Sequence, residues 1–412
     1  MESLDKKTED SNNKILNKKR ERQKKTKNEN NERRTKKSIL NECYNLKPVI
    51  KIEHNMRFIE PYDFKYQLYI KERWIGKKII DVLETEFNSY TREYFSNAIN
   101  DGKILINDKK VTDDYILKRN DFLTHLTKRK ENPIIYQKLD IVYDDENYLV
   151  VDKPSSWPVH VCGGYQFNTL QRILRDDLGY KDIFVLHRLD KQTSGIVIFA
   201  KNKKSAENFR EKLEVRDVSK TYFARVKGNF EPKDKKVTCK RYIYVIDKAK
   251  GIHSDISDDD LKKYYEEKNR NNKNNINKIQ ENNYVEEKDD PKYAETEFEF
   301  VFYDEKSNTS VVKCVPKTGR THQIRIHLRV LGFPIANDPC YGGIIYNDLK
   351  EFDNPDLKSY QILGDNNENI SVSQLFCYKI WLHAWTYKFG EYEFKTKIPE
   401  WAQKDYIINY KF

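Results

Sequence analysis

The spacing of apolar and polar positions divides the chain into stretches of different character. Residues 1–40 show almost no apolar periodicity. Between Tyr66 and Arg129 the pattern is compact. "KKIIDVLETEF" has apolar residues at helical spacing, "YTREYFSNAIND" fits a second helix before Gly102, and "KILIND" and "DFLTHL" predict two short strands. From Ile134 the character changes. "IVYDDENYLVVDKPS" predicts strand, turn and strand running into a Lys-Pro loop, and "SGIVIFAKN", "KTYFARVKG", "TEFEFVFY" and "SVVKCVP" supply further strands. Helices are expected at about Thr169–Leu178 and Ser205–Val215. Short strands in series with few helices predict an α+β fold around a mixed, largely antiparallel sheet.

Two breaks interrupt this second region. From about Asp247 to Asp290 the run "KNRNNKNNINKIQENN" is Asn-rich without an apolar face, and reads as a low-complexity insertion inside the domain. Residues 351–373 read as a smaller loop of the same kind.

Two segments concentrate polar chemistry. In "VLHRLDKQTSGIVIF" a short polar turn holding His187, Arg188 and Asp190 lies between two apolar runs, at the rim of a rigid sheet where a side chain is both held and reachable. Asp and Gly are common in turns, so this segment alone reads as structural more often than not. In "TGRTHQIRIHLRVLGFP", Ile324, Leu328 and Leu331 fall at i, i+4 and i+7, and Gly332 with Pro334 supplies a stop, which predicts a helix. His322, Arg325 and Arg329 then form a cationic stripe on its other side. A stripe of that kind is by itself more often a solvated face.

Composition narrows the partner. Lys and Arg number 76 against 65 Asp and Glu, for a formal net charge of +11, and aromatic residues make up 13% of the 412 residues with 28 Tyr. That balance suits an anionic partner with flat rings to stack on, namely nucleic acid, while a genomic bias towards Lys and Asn is the alternative source of it. Residues 1–40 carry 14 Lys and Arg against 7 Asp and Glu. With so little apolar surface, residues 1–60 are expected to be a disordered basic arm. The arm adds non-specific RNA affinity, carries a nuclear address in "KKRERQKK", or is only a solvated tail. The cysteines Cys43, Cys162, Cys239, Cys314, Cys340 and Cys377 form no CxxC or Cys/His cluster, so no structural metal is expected and the thiols are read as reduced. No stretch is apolar enough to span a membrane, and "MESLDKKTED" does not resemble a signal or transit peptide. The expectation is a monomer of the cytoplasm or nucleus without a membrane partner.

Taken together, "YLVVDKPSSWPVH", "LHRLDKQTSGIVIFAKN", "SKTYFARVKG", "TGRTHQIRIHLRVLGFPIANDPCYG" and "WLHAWTYKF" resemble the ordered motifs of the RluA-type pseudouridine synthases. The resemblance runs from about Leu139 to the carboxy terminus apart from the insertions. "AINDGKILINDKKVTDDYILKRNDFLTHLTKR" resembles an S4-like α/β RNA-binding domain preceding it, at about 64–130, with the catalytic domain at 134–412. What the resemblance implies is isomerisation of a uridine in RNA, without a cofactor. The bond from ribose C1′ to base N1 breaks, the base rotates, and C5 becomes the point of attachment. Asp190 is then the nucleophile and Arg325 its cationic partner. Only an ionised carboxylate attacks, and a guanidinium favours that form against desolvation. A stacked base must be flipped out, at a few kcal/mol. The resemblance gives Tyr222 the role of stacking on the flipped base and Arg188 that of filling the vacated space. It places Ile326 against the base, with a core role as the alternative. His187, His322, Arg320 and Lys153 are expected as further substrate contacts, the two histidines touching phosphate or supporting other contact residues.

"YQLYIKERWIGKKIIDVLETEF" and "PVHVCGGYQFNTL" are similar to the eukaryotic tRNA-modifying branch, which points to the anticodon stem-loop at position 32. Ribosomal or organellar RNA is the alternative target. Ser156 stands where the family commonly has glycine, and "HVCGGYQFN" lacks a proline and an arginine usual in that branch. Two readings of other classes compete with this one. A non-catalytic RNA-binding protein on the same fold is disfavoured by the presence of Asp190, Tyr222 and Arg325. A zinc-dependent base deaminase needs a second cysteine three residues after Cys340, and the sequence has none there.

Overall fold

The computed structural model describes residues 46–53, 55–87, 90–232, 234–247, 251–276, 290–344, 362–363, 369–370 and 379–406. Two compact units emerge, one containing Pro61–Arg129 and the other Ile50–Glu60 together with the chain from Lys130 onward.

The chain enters through an antiparallel ribbon, β1 (Ile50–Glu53) and β2 (Met56–Ile59), which belongs to the second unit. These residues correct the expectation of a disordered arm reaching to residue 60; residues 1–45 lie outside the described residues. The charge of the whole stretch hid a short apolar run, since Met56, Phe58 and Ile59 are buried. Arg57, also buried, donates to the Asn168 side chain at 2.5 Å and to Asp177 at 3.3 Å, which fastens the ribbon to the rest of the second unit.

The first unit is a four-stranded antiparallel sheet with two helices. Its strands are β3 (Tyr62–Tyr69), β4 (Ile104–Ile106), β5 (Lys109–Lys110) and β6 (Phe122–Arg129), in the order β3-β6-β4-β5. The helices Ile79–Glu86 and Arg92–Asn100 sit where the periodicity places them, and Thr91 caps the second by accepting from the Tyr94 amide at 3.3 Å. Trp74, Ile79, Phe95, Ile99 and Ile104 are at the centre of its core. β3, the long edge strand, was not expected.

The second unit is built on one eleven-stranded sheet. After β7 (Ile134–Ile135), which pairs with β2, come β8 (Asp140–Asp144), β9 (Tyr148–Lys153), β10 (Phe184–Val185), β11 (Ser194–Ala200), β12 (Val218–Lys227), β13 (Lys236–Asp247), β14 (Ile252–Ile256), β15 (Lys292–Asp304) and β16 (Thr309–Pro316). A small hairpin, β17 (Ile362–Leu363) with β18 (Asn369–Ile370), precedes β19 (Leu382–Phe389) and β20 (Tyr392–Lys395). The sheet order is β14-β13-β15-β16-β12-β19-β11-β9-β8, with β10 on β11 and β20 on β19. Among the described residues the one parallel pairing is β11 with β19, over Ser194↔His383 and Gly195↔Ala384. β9 and β11 are continuous apolar runs because both of their faces are covered. The helices Leu170–Asp176 and Lys203–Glu214, capped by Thr169 and Asn202, confirm the two expected there.

The insertion departs from expectation in its first half. β14 pairs with β13, and a helix spans Asp258–Ile276. Strand pairing uses backbone groups and needs no apolar run. The helix start was written in "SDDDLKK": the Ser257 hydroxyl accepts from the Asp260 amide at 3.2 Å and donates to its carboxylate at 2.7 Å, a capping arrangement. Most of the loop at 351–373 lies outside the described residues.

Ser156 explains the glycine usual at its position. It is buried with φ +73°, a left-handed backbone that favours glycine, and its hydroxyl accepts from the Ile135 amide at 2.8 Å. The hydrogen bond offsets the strain. Ser156→Gly is therefore expected to leave stability nearly unchanged, whereas Ser156→Ala keeps the strain, loses the bond and costs about 1–2 kcal/mol. Urea unfolding of the two variants would check this; an alanine variant as stable as the glycine variant would contradict it.

Candidate active site

The polar turn after β10 is held from several sides. The Thr193 amide donates to the Asp190 carbonyl at 3.1 Å, and the Ile380 amide to the Gln192 carbonyl at 3.4 Å. Gly195, at φ +113°, lies where β11 meets β19 so closely that a Cβ would overlap the Ala384 backbone. Beside it the Ser194 hydroxyl bonds His383 Nδ1 at 2.8 Å, and His383 Nε2 bonds the Thr396 hydroxyl at 2.7 Å. Asp190 thus leaves the sheet from a fixed point.

The helix predicted from "THQIRIHLRVLGF" spans Gln323–Val330. Its end is closed by the Gly332 amide donating to the Arg329 carbonyl and the Phe333 amide to the Leu328 carbonyl, both at 2.9 Å, with Gly332 at φ +85°. Its start is set by Gln323, whose side-chain oxygen accepts from the Thr318 hydroxyl at 2.7 Å and the Arg320 amide at 3.0 Å. The Gln323 amide group donates to the Glu295 carbonyl and the Thr296 hydroxyl, both at 2.9 Å.

This helix carries Arg325 into the interior. Arg325 is 3% exposed and grips the fully buried Asp338 with two hydrogen bonds, Nε at 2.7 Å and Nη2 at 2.8 Å. Its remaining nitrogen, Nη1, donates to Asp190 Oδ2 at 3.2 Å. Burial alone would lower its pKa; the bonds and charge of Asp338, with Asp190 adding, raise it above the ordinary arginine value.

His322 lies 3.7 Å from Asp190 Oδ2 through Nε2. Burial pulls its pKa down to about 4, so near neutrality it is an uncharged imidazole rather than an ion-pair partner. Its Nδ1 bonds the Tyr341 hydroxyl at 2.8 Å, and that hydroxyl donates to the His253 carbonyl of β14 at 3.2 Å. With the hydroxyl proton committed to His253, the pattern assigns the His322 proton to Nδ1. Nε2 then faces the carboxylate with a lone pair, consistent with a separation too long for a hydrogen bond.

Tyr222 stands half-buried on β12, between Cys314 of β16 and Ala384 of β19. β19 bulges there, with Trp385 as the extra residue. Burial, and then the charge of Asp190, raise the Tyr222 phenol well above the usual tyrosine range, keeping it neutral. Asp190, Arg325, His322 and Tyr222 are therefore brought together from segments far apart in the chain.

Other expected contacts lie elsewhere. Lys153 is fully buried, its ammonium donating to the carbonyls of Pro154, Trp157 and Lys191 at 2.8, 2.9 and 3.2 Å; burial pulls it down to about 7. It braces the Lys-Pro loop against the Asp190 turn and has no surface left for RNA. His187 accepts from the Ile198 amide at 3.3 Å and stacks on Tyr387, with ring centroids 4.6 Å apart; burial, with the charge of Lys220 adding, takes its pKa to about 3. It is a packing imidazole rather than a phosphate contact. Ile326 is fully buried with Ile243, Ala294 and Tyr341, which selects the core role over the base. Arg188 is exposed on the turn, without a hydrogen bond or ion pair among the described residues. Arg320 is exposed and donates through Nε to the Tyr293 carbonyl at 3.0 Å. Arg329, of the cationic stripe, pairs with Asp255 at 2.6 Å and Ser254 at 3.0 Å. Among the described residues no group of His, Cys, Asp and Glu is arranged to hold a metal ion.

The RNA pseudouridylate synthase model matches residues 147–329. The tRNA pseudouridine(32) synthase, mitochondrial, of Saccharomyces cerevisiae is 32% identical over 86% of this chain and 78% of its own. The chain belongs to the RNA pseudouridylate synthase family. The tRNA pseudouridine(31) synthase of the same yeast is 31% identical over 86% of this chain and 97% of its own. A human pseudouridylate synthase is 36% identical over 71% of this chain, which spans about half, 48%, of that protein. A solved human structure, RNA Pseudouridylate Synthase Domain Containing 1, aligns over 64% of this chain and 83% of its own with 21% identity and a TM-score of 0.41. This chain is an RNA pseudouridine synthase, an isomerase of the RluA type that converts uridine in RNA to pseudouridine.

Two outcomes follow from the site. A lysine at 325 cannot grip Asp338 twice and still reach Asp190, so Arg325→Lys is expected to lower single-turnover rate by about 100-fold or more; a rate within threefold of wild type would contradict the geometry. The second concerns pH. His187 at about 3, and His322, His327 and His383 at about 4, are all held below the ordinary histidine value of 6.5, in each case chiefly by burial. The unfolded chain therefore binds more protons than the folded one between 6.5 and 4, and stability present above pH 6.5 is lost as pH falls through that window. The urea midpoint is expected to drop steadily between pH 6.5 and 4.5, and a flat profile would contradict it.

Proposed function

We propose that the substrate is tRNA and that the uridine modified lies in the anticodon stem-loop, at position 32. Support comes from the yeast relative named for position 32, which aligns over most of both chains, and from the one named for position 31, which keeps the same region of tRNA in view. The first unit, with its S4-like order of helices and strands, is proposed as an RNA-binding module, and RNA as the partner of a monomer.

In the proposed chemistry the flipped uridine is received on Tyr222, with Arg188 filling the space it leaves. Stacking on an aromatic ring contributes about 1–3 kcal/mol against the cost of unstacking. Asp190 acts as the nucleophile, and the bond its carboxylate makes to the substrate is broken again before product leaves. The bond from C1′ to N1 breaks with its electron pair left on N1, the uracil turns, the bond from C1′ to C5 forms, the hydrogen on C5 leaves as a proton and N1 takes up a proton. Arg325 holds the nucleophile in place without competing for the substrate, because Asp338 already fixes its guanidinium. The observation that carries this reading is the Asp190–Arg325 contact at 3.2 Å, made between residues 135 positions apart.

The test is release of tritium from a tRNA transcript labelled at uridine C5, since forming the new bond expels that hydrogen. Wild type is expected to release it, and Asp190→Asn to release none while still binding the RNA. Release by Asp190→Asn would remove Asp190 from its role. Silence of the wild type on tRNA together with release from ribosomal RNA would overturn the target and leave the chemistry standing.

A further inference from the structure

Lys220 lies on β12 two residues before Tyr222. The bulge at this point belongs to β19, so the period of two along β12 is unbroken and both side chains project from the same face, about 6.6 Å apart along the strand. Lys220 is half-buried opposite Tyr387, with its ammonium 5.3 Å from the centroid of that ring. Burial lowers its pKa below the ordinary lysine value, and no carboxylate raises it in return. Among the described residues it makes neither an ion pair nor a hydrogen bond. His187, which feels the charge of Lys220, is uncharged near neutrality.

A charge taken partly out of water without a partner is costly, and one aromatic ring recovers only a fraction of that cost. The ammonium also borders the "TGRTHQIR" loop, where a Cβ added at Gly319 would meet it at ordinary contact distance, 3.8 Å. The arrangement is a half-buried cation without a counter-ion among the described residues, next to the ring proposed to receive the base.

We propose that Lys220 binds a backbone phosphate of the RNA, at or next to the nucleotide stacked on Tyr222. The RNA supplies the counter-charge that the fold withholds, so the ammonium fixes the backbone of the flipped nucleotide while Tyr222 fixes its base. The inference rests on the reading that Tyr222 faces the substrate.

The experiment compares Lys220→Met, which keeps the reach and loses the charge, and Lys220→Arg with wild type on one tRNA transcript. Affinity is measured across salt concentrations alongside KM from tritium release. Lys220→Met is expected to raise KM about tenfold and to reduce the slope of log affinity against log salt by about 0.7–0.9, the share of one phosphate, with Lys220→Arg restoring most of both. An unchanged salt slope in Lys220→Met would overturn the proposal, and a lowered Tm with that unchanged slope would assign Lys220 to packing on Tyr387. Wild-type silence on the transcript would count against the tRNA reading alone, because the binding slopes of the variants stay readable without turnover.

Discussion

A guanidinium that must be buried to act is the constraint around which this molecule is arranged. Arg325 can sit at 3% exposure only because Asp338, itself fully buried, takes two of its nitrogens. Breaking such a pair from one side leaves an uncompensated charge in the interior and costs several kcal/mol. Once the pair is formed, one edge of the cation is left over, and that edge meets Asp190. The order of dependence matters: Asp338 makes Arg325 tolerable, and Arg325 then makes a fixed contact for the carboxylate on the opposing turn. Gln323, which seats the first turn of the helix, and Gly332, which ends it, serve the same placement.

Neutral groups complete the surroundings. The imidazole of His322 and the phenols of Tyr222 and Tyr341 are all held uncharged by burial near neutrality. Around Asp190 the paired charge lies on Arg325 and Asp338, and Lys153 acts on the carboxylate from the buried side. The insertion takes part as well: β14 offers the His253 carbonyl to Tyr341 and Asp255 to Arg329, so a segment of low-complexity appearance contributes the strand that backs the active helix.

What could be read from residues alone followed the range of the interactions involved. The helix Gln323–Val330 was legible because its spacing of Ile324 and Leu328 and its glycine stop are local. The Asp190 turn was legible because apolar runs bracket it. Asp338 was missed: "IANDPCYGG" has no period, and its value comes from a partner thirteen residues away in a folded interior. The available signal was chemical, since a buried arginine requires an acid. Motif likeness located Lys153, His187 and Ile326 near the site but carried no information on direction, and all three point into the protein. The ribbon at 50–59 and the strand β14 were hidden by composition, which averages over the few positions that pair.

The sheet of the catalytic unit is nearly all antiparallel, yet β11 and β19 meet in parallel over only Ser194–Gly195 and His383–Ala384. Everything from β8 to β11 lies on one side of that seam and everything from β19 to β14 on the other. Asp190 is anchored to the first half, Tyr222 and Arg325 to the second. The seam is short, parallel pairing is the weaker kind, and a side-chain bond from Ser194 to His383 closes it. The backbone pairing at this junction is slight, and the apolar cluster of Val150, Ile196, Ile198 and Phe209 with Tyr387 and Phe389 runs across it, so the distance from nucleophile to guanidinium is kept by side-chain packing more than by strand hydrogen bonds.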